Sequence, residues 1–426
     1  MLIHLFIYLA KRNYQVIKTK FTYHSPSLPH PASILTGSVK MLRKLPAAFY
    51  KQLKPVKAFL QPPGVLGRAW RVRLSVSGLR GTSPFNVAEP SMLPQWMHEQ
   101  VAAQLACFRD GITPRRLAAA ESFYAGEYHN HFVRYAVQSG RLRILTSRQH
   151  FPAYIAERFR TMTSVFEALA PTLPELDFIL YLGDGFDGWS RGCEAPVLTF
   201  SKLSNVDESG LLIPDSLTLA LSRQLRLEVK ASCAKHPWES RASVAFWRGS
   251  TTGGPFDLSN YTKGVRFRLV ERAQARPHLV DAVFTGFHSV TPEVEALVRS
   301  KGWLGQYVKI ADHFRYRYQV LVDGFTSPWP RYFWGLHGDS AIFKQESGLR
   351  GWFDAGLKPW IHYVPLASDL SDLEERISWA QAHDDEVRAI TECARRFAYT
   401  DLTDAVMLGY MRLLLTEYAK LLRPDG

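Results

Sequence analysis

The first 88 residues contain no aspartate or glutamate; the first acidic residue is Glu89. The same stretch holds 14 lysines and arginines, so the formal net charge of +13 belongs to this segment. From Glu89 onward, 38 basic residues face 39 acidic ones, an ordinary near-neutral balance. The whole-chain charge therefore does not describe a nucleic-acid-binding body, and no specific nucleic acid is expected as a partner. Cysteine is also scarce: Cys107, Cys193, Cys233 and Cys393 are scattered without CxxC spacing. That argues against a zinc ribbon or a disulfide scaffold and fits a reducing compartment. Long apolar runs are missing. The most apolar start, residues 1–10, is half the ~20 residues a membrane-spanning helix needs. No basic residue precedes it and no small-residue cleavage site follows, so it is a poor signal peptide. The chain ends Arg-Pro-Asp-Gly, which is not an ER-retention signal.

What is present is globular. Hydrophobic residues make up 46% and charged residues 21%, which excludes disorder for the bulk of the chain. Aromatics, at 13%, suffice for a large core and for stacking on sugars or bases. The length suggests two or three domains. Residues 25–33 are rich in proline and serine and are expected to be extended. Residues 41–60 mix leucine and aromatics with lysine and arginine, and Pro46 and Pro55 interrupt them. Two readings stand for this stretch: contact with an anionic membrane surface, or a solvated basic tail with a few apolar residues docked on the body.

Past Glu89, residues 91–109 read as a helix that Ser91 can cap, and 151–170 as another. Residues 177–183 form a short apolar run that opens into Gly-Asp-Gly, a buried strand meeting a ligand-facing loop. The second half repeats this logic. Strands are expected at 242–247, 279–284, 315–322, 340–343 and 360–366. A basic helix is expected at 264–276, with further helices near 369–382, 384–397 and 402–422. Strands alternating with helices mean a mostly parallel sheet.

Four segments could carry chemistry. The turn at 247–254 ends a strand in Arg248, Gly249, Ser250 and Thr251. It offers backbone N–H groups, hydroxyls and a guanidinium to an anion. It is neither a Walker loop nor GxGxxG, and it also reads as a plain turn. Residues 322–331 repeat the pattern with Gly324, Phe325, Thr326, Ser327 and Arg331. A helix starting near Pro328–Pro330 adds a phosphate-favouring N-terminus. In the 357–365 stretch, Lys358 is the plausible ligand-facing cation and His362 a structural residue. At 183–187, Asp184 and Asp187 offer carboxylates at a strand end, for a general base or a cation. The other ligands of a calcium loop are missing.

Together these segments resemble glycosyltransferase family 90, over about residues 95–422. The carrying residues are Ala245–Ser250, Leu279–Ala282, His313–Tyr318, Leu357–Pro365 with Asp369-Leu370, and Asp384-Asp385. The resemblance implies an α/β fold of GT-B type, two Rossmann-like domains facing across a cleft. The expected organisation is a basic extension at 1–88, an acceptor-side domain at 89–235, a nucleotide-sugar domain at 236–398, and a final helix at 399–426 that packs back on the first domain. It also implies an inverting O-glycosyltransferase that takes glucose or xylose from a UDP-sugar. The acceptor expected is a glycan or lipid-linked hydroxyl of the lipopolysaccharide or capsule type. In such enzymes Arg248 and Arg331 would grip the diphosphate. Gly249, Ser250, Thr251, Gly324, Phe325, Thr326, Ser327, Glu346 and Lys358 would complete the donor site. Neither metal nor other cofactor is expected, because fixed cations and N–H dipoles can stabilise departing UDP. The family's protein O-glucosyltransferase members carry their base as an aspartate beside a cysteine. The matching stretch here, 140–146, has neither, so Asp184 is the replacement candidate and Asp187 the second. The expected location is the bacterial cytoplasm, peripheral at the inner membrane. The alternative is a degenerate GT-B scaffold whose basic arm, binding membrane or nucleic acid, is the function.

Overall fold

The structure is a computed structural model that describes residues 87–127, 131–146, 151–186, 195–204 and 206–425. The expectations for residues 1–10, 25–33 and 41–60, and those for Asp187 and Cys193, lie outside the described residues.

In chain order the first half contains α1 (Gln95–Leu105), α2 (Pro114–Glu127), β1 (Phe132–Gln138), β2 (Arg141–Ile144), α3 (Ala153–Leu169), β3 (Leu176–Tyr181), β4 (Val197–Thr199), β5 (Ser201–Leu203), β6 (Gly210–Leu212) and α4 (Ser216–Lys235). The second half contains β7 (Ala242–Ser250), α5 (Val265–Ala275), β8 (Val280–Gly286), α6 (Pro292–Ser300), α7 (Ile310–His313), β9 (Tyr316–Leu321), α8 (Trp329–Leu336), β10 (Ala341–Gln345), β11 (Leu349–Gly351), β12 (Val364–Leu366), α9 (Leu373–Ala382), α10 (Asp384–Asp401) and α11 (Asp404–Ala419).

The C-terminal sheet has the order β12-β10-β9-β7-β8, with every pair parallel. Its chain order reverses between β7 and β9, which makes the carboxyl ends of those two strands a topological switch point. The N-terminal sheet, β2-β1-β3-β4-β6, departs from the parallel expectation. Its strands β3, β4 and β6 run parallel, but β1 is antiparallel to both β2 and β3. The cause is a two-residue turn at Ser139 and Gly140, both at positive φ, which folds β2 directly back on β1.

Two other expectations are corrected. The helix at 91–109 is broken by Pro94: a 3-10 turn covers Pro90–Met92, α1 starts at Gln95, and Ser91 caps nothing. The strand at 360–366 is only Val364–Leu366. Residues 358–363 form a turn closed by Trp360 N–H to Tyr363 O and His362 N–H to Lys358 O, with Trp360 at φ 62°.

One apolar core runs from the N-terminal sheet (Tyr135, Phe178, Val197) to Leu321 and Ile342 on one face of the C-terminal sheet. A second lies on the other face, where Val280, Tyr318 and Val364 meet Leu269 and Ile377 of α5 and α9. Alternation along the strands then sends Asp323, just past β9, Lys344 of β10 and Glu346 just past it toward the N-terminal half. The last helix closes the body. The buried Tyr410 hydroxyl accepts from Gln100 and Gln104 (2.7 and 3.0 Å) and donates to Leu212 O at 2.9 Å. Tyr418 donates to Asp177 O at 2.9 Å. Among the described residues no helix is long and apolar enough to cross a membrane.

Candidate active site

The loops after β7 and β9 meet at the switch point. A Cβ on Gly324 would lie 2.7 Å from both Arg266 Nη2 and Thr252 Oγ1, and Gly253 sits at φ 110°. A Cβ on Gly253 would lie 3.1 Å from Gly324 O, so glycine there, at a φ that side chains disfavour, lets the two backbones approach. Arg266, in the first turn of α5, ties them together: Nε donates to Asp323 O (2.7 Å) and Nη1 to Ser250 O (3.0 Å). Burial pushes its pKa down to about 10. Arg331, in the first turn of α8, donates from Nη2 to the carbonyl of Arg248, while its Nη1 is buried without a hydrogen-bond partner. Burial and the charges of Arg266 and Arg248 push Arg331 down to about 9. Both strained guanidinium groups gain if an anion arrives.

Arg248 makes its own contacts within the sheet. Its guanidinium turns back along the strand, 4.4 Å above the Phe246 ring, pairs with Asp281 at 2.7 Å, and donates to Trp247 O and Asp281 O. Asp281 also accepts from Tyr316 (2.9 Å), whose ring stacks on Phe246 at 4.0 Å. This guanidinium is satisfied within the sheet. The loop cation that sequence reasoning missed is Arg266. A signal existed: arginines in the first turn of a helix oppose its dipole, and Arg266 and Arg331 both sit there. His313 lies between Phe246 and Trp334 and faces Gln319. Burial, Arg331 and Arg248 lower its pKa to about 3, so it adds no charge.

The remaining expected donor residues divide. Gly249 has no room for a side chain, since a Cβ there would lie 2.5 Å from the Trp247 ring. Ser250 contributes its carbonyl to Arg266. Thr251 is buried and its hydroxyl closes on His288, accepting from N–H (2.8 Å) and donating to O (2.9 Å). Phe325 meets the His288 ring edge-on at 5.2 Å. Thr326 and Ser327 reach the N-terminal half: Thr326 Oγ1 donates to Asp184 O (3.2 Å), and Ser327 N–H to Ser201 Oγ (3.3 Å). Glu346 lies beyond β10 with Oε1 3.8 Å from Lys344 Nζ. Lys358 lies in the turn before β12, where its backbone N–H donates to His362 Nδ1 at 2.9 Å. It precedes β12, at the amino edge of a parallel sheet, and the neighbouring Trp360 packs on Trp379 near the end of α9.

Across from the donor loops, Asp184 follows β3. Its carboxylate, with the side chain 42% exposed, pairs with Arg158 Nη2 at 2.7 Å. Arg158 also donates to Leu182 O (2.9 Å) and lies 5.1 Å over the Trp329 ring. One ion pair thus touches both the strand end of the N-terminal sheet and the helix that carries Arg331. Among the described residues no group of three His, Cys, Asp or Glu side chains could hold a metal.

The sequence model described as glycosyl transferase family 90 matches residues 92–425. Protein O-glucosyltransferase 2 of Danio rerio is 29% identical over 330 residues, covering 76% of this chain and 62% of that protein. Protein O-glucosyltransferase 3 of Homo sapiens is 28% identical over 261 residues, covering 58% and 47%. The chain therefore spans about half to three fifths of the length of these curated relatives. Among solved structures, a glycosyltransferase from Rickettsia africae ESF-5 is similar at 10% identity and TM-score 0.32, covering 57% of this chain and 70% of that one. A sucrose-phosphate synthase from Thermosynechococcus elongatus is similar at 16% identity and TM-score 0.33, covering 51% and 60%.

Proposed function

The chain belongs to glycosyl transferase family 90, and from that premise we propose that it is an inverting O-glycosyltransferase using a UDP-sugar. The observation that carries the reading is the buried, unpartnered Nη1 of Arg331 beside Arg266 at the switch point. A diphosphate supplies the negative charge and the acceptor oxygens this pair lacks. In the reaction the bond between the anomeric carbon and the UDP oxygen breaks, and charge builds on UDP. Arg266 and Arg331, already fixed by backbone carbonyls, stabilise that charge without rearranging. On the opposite face of the sugar, a base takes the proton of the acceptor hydroxyl, whose oxygen bonds to the anomeric carbon. Asp184 is the candidate base. Arg158 aims its carboxylate but also competes for it. Asp187 is the second candidate.

The similarity to protein O-glucosyltransferases makes glucose the first sugar to test and a protein hydroxyl the first acceptor. Xylose and a lipopolysaccharide- or capsule-type glycan form the other arm. The degenerate-scaffold alternative is disfavoured by the same unpartnered guanidinium. The basic N-terminal segment is proposed to hold the enzyme at an anionic membrane. Removing residues 1–60 should abolish co-sedimentation with anionic vesicles, and pelleting of the truncated protein would defeat that assignment.

For the enzyme reading, release of UDP from UDP-glucose, UDP-xylose, UDP-galactose and UDP-N-acetylglucosamine is measured with a protein or glycan acceptor. Acceptor-dependent release from at least one of them is expected. No release from any, together with no UDP binding, would leave the scaffold reading standing.

A further inference from the structure

A separate collection of charge lies at the C-terminal end of α8. Helices α4 and α10 both pack on α8. Between them is a pocket of about 370 Å³, lined by Lys230 of α4 and by Glu392, Arg395, Arg396 and Tyr399 of α10. The four α10 residues fall at i, i+3, i+4 and i+7, so they share one face of that helix. The size is that of a small-molecule site, roughly 300–1,000 Å³. Glu392 is spent on Arg395, at 3.0 Å. Among the described residues the side chains of Lys230 and Arg396 have no partner. The pocket therefore holds two uncommitted positive charges beside one balanced ion pair.

The wall behind Tyr399 is incomplete as well. His337 caps α8, is 2% exposed, and meets the Tyr399 ring edge-on at 5.1 Å. Its Nδ1 donates to Phe333 O at 2.8 Å, which leaves Nε2 a bare acceptor, buried without a partner. Arg226, one turn before Lys230 on α4, pairs with Asp404 through Nη2 at 2.8 Å and keeps Nη1 buried without a partner. That unmet donor and unmet acceptor are what a hydroxyl or an ordered water completes. Burial raises the pKa of the Tyr399 hydroxyl, which stays protonated and able to donate, and Arg395 and Arg226 lie close enough to pull against that rise. Two free cations match a ligand with two negative charges. A phosphate monoester carries about −1.5 to −2 at neutral pH, on oxygens that a guanidinium grips in pairs; a single carboxylate would leave one cation unmatched. We propose that this pocket binds a phosphate monoester, with Lys230 and Arg396 on the phosphate and Tyr399 against the group that it esterifies. The site is distinct from the switch point. Helix α8, eight residues and about 12 Å long, carries Arg331 in its first turn and His337 at its far end. The inference stands independently of the nucleotide-sugar reading.

The test is calorimetric titration of the full chain with glycerol 3-phosphate, inorganic phosphate and UDP. Wild type is compared with Arg331→Ala and with the double variant Lys230→Ala, Arg396→Ala. Both residues of the double variant are exposed, so it should fold, and circular dichroism melting checks this. Glycerol 3-phosphate should bind wild type, and bind Arg331→Ala within about twofold of that. The double variant should lose about a hundredfold, on the order of tenfold for each charge-assisted hydrogen bond, and keep its UDP affinity. No binding of glycerol 3-phosphate or inorganic phosphate to wild type overturns the proposal. So does binding that survives the double variant, which puts the phosphate elsewhere, or binding lost in Arg331→Ala, which puts it at the switch point. A double variant that loses UDP as well overturns the pocket as a second site. Flotation with phosphatidylcholine vesicles containing phosphatidate then separates the two sources of such a phosphate. Weaker flotation of the double variant than of wild type supports the site with a lipid headgroup as its ligand, and equal flotation supports it with a soluble ester.

Discussion

The end of β3 and the ends of β7 and β9 face each other, yet they are built on different electrostatic terms. At β3 the charges cancel: Asp184 holds Arg158, which is also satisfied by Leu182 O. At β7 and β9 they do not cancel: Arg331 keeps an unpartnered donor next to Arg266, and one residue away Asp323 keeps an unpartnered acceptor. A self-satisfied end can hold geometry and wait for a substrate of variable shape. An unsatisfied end is stabilised by a ligand of fixed charge pattern. The comparison assigns the constant substrate to the C-terminal sheet and the variable one to the N-terminal sheet.

The strongest way to break this comparison is at the unsatisfied end. Arg331→Ala or Arg266→Ala should lower kcat/KM by about a thousandfold, the upper range for a transition-state charge donor. Steady-state kinetics that show less than a tenfold loss would mean the diphosphate lies elsewhere. Next is the balanced end. Asp184→Asn should lower kcat by about a hundredfold or more while UDP affinity stays unchanged; a variant with normal kcat would move the base to another residue. Arg158→Ala should lower kcat less, and Arg158→Lys should restore part of the loss.

A smaller effect separates the arginines. Arg248→Ala leaves the half-buried Asp281 with only its Tyr316 hydrogen bond and should cost about 1 kcal/mol of stability, read by denaturant unfolding. Its UDP affinity should fall far less than that of Arg331→Ala. Equal losses of UDP affinity would return Arg248 to the donor site. Smallest are two opposed pH slopes. His313 titrates near 3 against an ordinary 6.5, so the stability from its neutral burial is present above pH 6.5 and lost as pH falls toward 3. Asp323, raised to about 6 by burial, has the opposite sign: its contribution is present below about pH 4 and lost as pH rises through 6. His313→Gln should flatten the acid-side loss and Asp323→Asn the loss between pH 4 and 6, both followed by urea midpoints against pH.

Much of the C-terminal sheet was legible because its strands are buried on both faces and read as short apolar runs broken by glycine loops. The loops at 247–254 and 322–331 were legible for the same reason, and so was a helix beginning at Pro328–Pro330. The division of labour among arginines was not. Whether a strand's terminal arginine reaches forward to a loop or back along its own strand depends on Asp281, 33 positions away in sequence, and on the Phe246 face. Arg266 looked like one charge on a basic helix until the fold set it between two carbonyls. The N-terminal sheet was hardest to read, because β4 and β6 have three residues each and carry no periodicity.

The central claim is that the switch point is an incomplete anion site made for a nucleoside diphosphate. The direct measurement is thermal melting of the full chain with and without millimolar UDP, beside Arg331→Ala under the same conditions. The account predicts a clear rise in melting temperature for wild type and none for the folded variant. Wild type that melts at the same temperature with and without UDP, or a variant that UDP stabilises equally, would contradict it.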